Sequence, residues 1–101
     1  MIEQANLAAY TPTPMTPREQ NLLRTLRTHL YLEKQDTFTV DTLRMLGFDR
    51  YMPLDKQNRH NYGSFFIKLK HFKEAEPCGW KPSEAESNHG RKVQVWRIKQ
   101  P

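Results

Sequence analysis

From Arg59 onward the apolar positions change period. Tyr62, Phe65, Phe66, Leu69 and Phe72 fall at i, i+3, i+4, i+7 and i+10, which is one face of a helix. Lys68, Lys70 and His71 lie off that stripe. The pattern predicts a helix from about Lys56 or Arg59 to His71 or Lys73, capped by Asp55 or Asn58. Arg91 to Ile98 is β-branched or alternating, as a strand should be, with Val93 and Val95 to one side and Trp96 and Ile98 to the other. Glu74 to Pro77 leads into a partner strand, Cys78-Gly79-Trp80-Lys81, which Pro82 ends or confines to a sheet edge. Ser83 to Gly90 is then a hairpin tip, with turn chemistry in Asn88-His89-Gly90.

Upstream, Thr16-Pro17-Arg18-Glu19 has the form of a capping box with proline at the first helical position. Leu22, Leu23, Leu26 and Leu30 supply the buried stripe of a helix to about Glu33. Arg18, Arg24 and Arg27 fall on its outer side, a solvated face. Gln35-Asp36 is a turn, and Thr37 to Val40 is a short edge strand suited to pairing with the later hairpin. Asp41 is expected to cap a helix from Thr42 to Leu46, with Leu43 and Leu46 inward and Gly47 as its stop. Phe48 to Pro53 is expected to be a loop in which Phe48 and Tyr51 plug the gap between helices. Residues 1–15, with Pro12 and Pro14, show no sustained period and are expected to form a flexible arm ahead of a domain spanning 16–101. Leu26, Leu43, Phe65, Leu69 and Trp96 are the expected core.

This order, helix, short strand, helix, helix and hairpin, predicts an α+β winged helix-turn-helix: three helices, a short strand and a C-terminal β-hairpin wing. At 101 residues the chain can bury one modest core. Sixteen Lys and Arg against eleven acids give a net charge of +5, a balance that favours a polyanionic partner. The single cysteine, Cys78, excludes an internal disulfide and fits a reducing cytoplasm. No apolar run reaches the roughly 18 residues of a membrane span, and the N-terminus has no secretory pattern. No membrane partner is expected.

The combination Asn61-Tyr62-Gly63-Ser64-Phe65-Phe66, Gly79-Trp80-Lys81-Pro82-Ser83 and His89-Gly90-Arg91-Lys92-Val93-Gln94-Val95-Trp96 resembles small winged-helix proteins of bacteriophages and other mobile elements. The resemblance covers about residues 36–98. It implies the fold and, as a role, a phage-like or mobile-element regulator. It implies no catalytic residue.

The candidate DNA-binding surface takes Arg59, His60, Asn61, Ser64, Lys68 and Lys70 from the third helix and Lys81, Ser83, Asn88, His89, Arg91 and Lys92 from the wing. Asn and Arg can read adenine and guanine edges, while Lys neutralises phosphate. Gly63 inside a helix costs roughly 1 kcal/mol relative to alanine. With Ser64 it forms a notch suited to a closely packed helix or to an approaching DNA backbone. Glu84 and Glu86 at the tip, and Glu74 and Glu76 at the helix end, would repel phosphate, so the wing is expected to contact DNA through Arg91 and Lys92 rather than insert deeply. His29, His60, His71, His89 and Cys78 show no metal-ligand spacing, and no metal or other cofactor is expected. No catalytic triad, phosphate loop or paired-carboxylate motif is present, so no enzyme is expected. Double-stranded DNA is the expected partner, with a homodimer open. The alternative is a protein–protein interaction module of a replication, repair or defence complex.

Overall fold

A computed structural model describes residues 12–84 and 90–99. Thr16 opens α1 (Pro17–Leu32) with a complete capping box: the Glu19 N–H donates to Thr16 Oγ1, and the Thr16 N–H donates to Glu19 Oε1. Leu22, Leu23, Leu26 and Leu30 are all buried. The described structure starts ahead of this cap. Pro12 is buried and Met15 packs on the core. Residues 1–11 lie outside the described residues.

β1 (Thr37–Phe38) is short and leads into α2 (Val40–Met45). The cap of α2 is Thr39, not the expected Asp41: the Thr39 hydroxyl accepts from the Asp41 N–H, and the Thr42 hydroxyl accepts from the Thr39 N–H. Gly47 ends the segment in the left-handed conformation (φ 81°), donating its N–H to the Arg44 carbonyl. The expected loop after it contains a 3-10 turn, Phe48–Tyr51. Phe48 is buried as expected, whereas Tyr51 is 43% exposed, with Arg18 of α1 over its ring.

The third helix is shorter than its apolar stripe suggests. α3 spans Gly63–His71. Residues 54–60 instead close on themselves. Leu54 and His60 form a β-bridge, the Asp55 carboxylate takes the N–H groups of Gln57 and Arg59, and Asn58 is left-handed at φ 60°. Asp and Asn side chains that bond nearby N–H groups compete with helix, and here the turn wins. Asp55 and Asn58 are therefore not helix caps. Gly63 is the first helical residue, not an interior one. The notch has a local cause: Asn61 Oδ1 accepts from the Gly63 N–H at 2.8 Å, and a Cβ on Gly63 would stand only 3.0 Å from that oxygen.

α3 is followed by Lys73 at φ 57°, with the Glu74 N–H reaching back to the Leu69 carbonyl. This reversal launches β2 (Ala75–Pro82), which pairs with β3 (Lys92–Ile98). β2 begins three residues before the expected strand, because Ala75 is buried and paired with Ile98. The antiparallel sheet has order β1-β3-β2, so β2 is an edge that tolerates Pro77 and Pro82. Leu26, Leu43, Phe65, Leu69 and Trp96 are all buried. Phe66 stacks on Trp96 at 4.8 Å and joins α3 to the sheet. The described residues form a mixed α+β arrangement, and no helix among them is long and apolar enough to cross a membrane.

Candidate functional site

One face of α3 is open. Gly63, Ser64, Ile67, Lys70 and His71 are exposed, and the helix carries no acidic residue. Lys70 follows Phe66 by one turn and so lies on the side that faces the sheet. Lys68 projects the other way. Its ammonium lies 2.8 Å from Glu19 Oε1 on α1, and the two side chains are only 12% and 17% exposed. Burial raises the Glu19 carboxyl, but Lys68 and the Thr16 N–H outweigh it and hold the group below its ordinary range. Lys68 thus fastens α3 to α1, with its ammonium engaged by Glu19.

The residues before α3 are also engaged. Arg59 pairs with Asp55, with Nε 3.2 Å from Oδ2. The backbone N–H of Arg59 holds the Asp55 carboxyl below its ordinary range, helped by the Gln57 N–H and the guanidinium charge. His60 is half-buried in the Leu54 bridge, with its Nδ1 buried and unpaired among the described residues. Asn61 spends its carbonyl oxygen on the start of α3, so that atom is not free to read a base edge. These three stand beside the helix rather than on it. Tyr62 caps the core at this end. Its hydroxyl donates to Asp49, and burial with that carboxylate pushes the phenol well above its ordinary range.

The hairpin is fastened at its root. Ser83 is buried and donates to Asp41 Oδ2 at 2.9 Å, and the Glu84 N–H donates to the same oxygen. Ser83 is therefore not a surface contact. Lys81 pairs with Glu84 at 3.5 Å. Asn88 and His89, with Glu86, lie outside the described residues. Arg91 and Lys92 are exposed, and the Arg91 carbonyl accepts from the Ser83 N–H.

A bulge at Cys78 redirects the outer part of β2. The register runs Pro77↔Trp96 and then Gly79↔Val95, with Gly79 at φ 152°. After the bulge, Trp80 pairs with Gln94 and Pro82 with Lys92. Cross-strand partners share a face, so Trp80 and Lys92 continue the face of Trp96, the side on which α3 packs. Trp80 is 64% exposed there and Ile67 is 51% exposed on α3. Of the expected residues, Ser64, Lys70, Arg91 and Lys92 are exposed without an ion pair among the described residues, while Ile67 and His71 are exposed on α3 and Trp80 on the hairpin.

The residues also form a cleft of about 590 Å³ between α1 and the 3-10 turn. Arg18, Asn21, Thr25, Gly47, Arg50 and Tyr51 are among its walls. Sequence reasoning left Arg18 on a solvated face and placed Tyr51 inside. The signal available was the adjacency of Arg50 and Tyr51 in a segment without helical period. Among the described residues, no three His, Cys, Asp or Glu side chains gather so as to hold a metal ion. The chain matches no protein-family model, no curated protein and no solved structure.

Proposed function

We propose that this chain is a non-catalytic winged-helix DNA-binding protein that takes duplex DNA on the open face of α3 and the adjoining hairpin. The observation that carries the reading is how the charges are matched. Seven of the nine described Asp and Glu side chains are ion-paired, and the seven Lys and Arg partners leave nine of the sixteen without an ion pair among the described residues. Glu74, Glu76 and Glu84, which threatened to repel phosphate, are each neutralised, by Arg27, Lys99 and Lys81. Lys70, Lys73, Arg91 and Lys92 are exposed and make no ion pair among the described residues. The element order and the sheet order β1-β3-β2 support the winged-helix assignment, with α3 as the helix offered to a groove and β2-β3 as the wing. A role in regulating a phage or mobile element belongs to this reading through the sequence resemblance.

The second reading is a protein-interaction module. Exposed Ile67 and Trp80 favour it, because apolar side chains on an otherwise polar face suit a protein partner. Titration of sheared duplex DNA at several salt concentrations, with single-stranded DNA alongside, separates the two. Duplex binding whose log affinity falls linearly with log salt supports DNA. No duplex binding even at low salt moves the assignment to the interaction module.

A further inference from the structure

The cleft between α1 and the 3-10 turn holds two cations with no counter-charge. Arg18 and Arg50 place their guanidinium carbons 5.5 and 5.9 Å from the centroid of one ring, Tyr51. Neither makes an ion pair among the described residues, and the walls of the cleft include no carboxylate. The acids adjacent to Arg18 and Arg50 in sequence are engaged elsewhere, Asp49 with the Tyr62 hydroxyl and Arg44, and Glu19 with Lys68 and the Thr16 N–H. A Cβ at Gly47 would stand 3.7 Å from Arg50 Nη2, so that guanidinium lies over the left-handed turn. The aromatic face attracts each cation, but the two cations repel one another. An anion shared between them removes that repulsion, and Asn21 and Thr25 offer neutral donors on the same wall.

We propose that this cleft is a phosphate-binding site in which Arg18 and Arg50 grip one phosphate group and Tyr51 orients their side chains. Planar guanidinium forks suit phosphate oxygens better than a lone ammonium does. Both walls of the cleft are tied to α3, α1 by the Glu19–Lys68 pair and the 3-10 turn by the Tyr62–Asp49 bond. Under the DNA reading, the source of that group is a backbone phosphate of the bound duplex. Only that choice of source rests on the DNA reading; the phosphate chemistry stands apart from it.

The test has two arms, each on the full chain with melting temperatures confirming that every variant folds. In the first, inorganic phosphate is titrated while the Arg Nε–H resonances are followed. Arg18 and Arg50 should shift saturably, Arg24 should not, and Arg18→Ala should abolish the Arg50 shift. In the second, duplex affinity is measured against salt. Arg18→Ala and Arg50→Ala should each flatten the log–log slope by up to about 0.9, and the double variant should flatten it no further, because both side chains serve one phosphate. A duplex effect identifies the source as a backbone phosphate. Saturable phosphate shifts without a duplex effect identify it as a free phosphate compound, and if the parent also ignores duplex, the DNA reading fails while this site stands. Arg18, Arg24 and Arg50 moving alike with phosphate, together with a double variant that keeps the parent's duplex slope, would overturn the proposal. So would slope losses that simply add in the double variant.

Discussion

The two flanks of α3 carry lysines two residues apart with opposite fates. On the α1 side, Lys68 is sunk against Glu19 and largely shielded from water. On the sheet side, Lys70 stands exposed without an ion pair among the described residues. Their chemistry is identical, so the difference comes from what the fold brings opposite each. The capping box of α1 fixes Glu19 in place through Thr16, and that fixed carboxylate captures Lys68. Among the described residues, no carboxylate pairs with Lys70. A cation on this helix is therefore structural or available according to its side, not its position in a basic run.

The comparison is broken most severely from beneath. Leu69 lies between the two flanks in sequence and is fully buried. Leu69→Ala should cost about 2–5 kcal/mol, while Ile67→Ala on the open face should stay within about 0.5 kcal/mol. Thermal melting of the two variants checks this. Equal losses would show that the open face is not open.

Next comes the fastened flank itself. Lys68→Met keeps the aliphatic stem but strands Glu19, and should cost about 1.5–3 kcal/mol, the range for a hydrogen bond to a charged group. It should leave the salt slope of duplex binding unchanged. Glu19 gives this flank a pH dependence of known sign. Its carboxyl lies below its ordinary value of 4.5, so its contribution is complete above that value and disappears as pH falls through the depressed one. The stability gap between the parent and Glu19→Gln should therefore close in acid. A gap that persists unchanged to low pH would mean that the Glu19–Lys68 charge pair is not its cause.

Much of this contrast was hidden in the sequence for definable reasons. The first helix could be read in full, since Thr16, Pro17 and Glu19 signal its start and four leucines its face. The core stripe of α3 was equally plain. Its beginning was not, because an apolar period says which face is buried but not where the helix starts, and Asp55 and Asn61 act through local hydrogen bonds and Asn58 through its left-handed backbone. Both α1 and α3 are followed by a lysine in the left-handed conformation, Lys34 and Lys73, where glycine is the usual signal. The partner of Lys68 was unreadable because it lies 49 residues away. The outward turn of Trp80 depends on a bulge for which Gly79 was the sole clue.

A smaller effect is expected at the entry to α3. Asn61→Ala removes the acceptor for the Gly63 N–H and should lower stability by about 1 kcal/mol, as loss of a helix-start acceptor does elsewhere. Asn61→Asp, which keeps that acceptor, should restore most of the loss. Were Asn61 chiefly a base-reading residue, Asn61→Ala would leave the melting temperature alone and relax sequence preference instead. Measuring both quantities on the same variant distinguishes a residue that shapes the site from one that touches its ligand.

The smallest change in stability, and the one that sharpens the contrast most, belongs to the open side. Lys70→Ala and Lys92→Ala remove exposed cations that make no ion pair among the described residues, so melting should move by less than the equivalent of about 0.5 kcal/mol. Under the DNA reading, each should flatten the salt slope of duplex binding by up to about 0.9, the loss of one phosphate contact. Lys68→Met should do the reverse, losing stability and keeping the slope. The two flanks are then distinguished by a crossed pair of measurements rather than by one. If Lys68→Met flattens the slope as much as Lys70→Ala does, the Glu19 pair opens when DNA arrives and the flank is not a fixed one. If Lys70→Ala leaves the slope untouched while the parent binds duplex, the ligand lies elsewhere on the basic surface, and the open face of α3 returns to the protein-interaction reading that Ile67 and Trp80 favour.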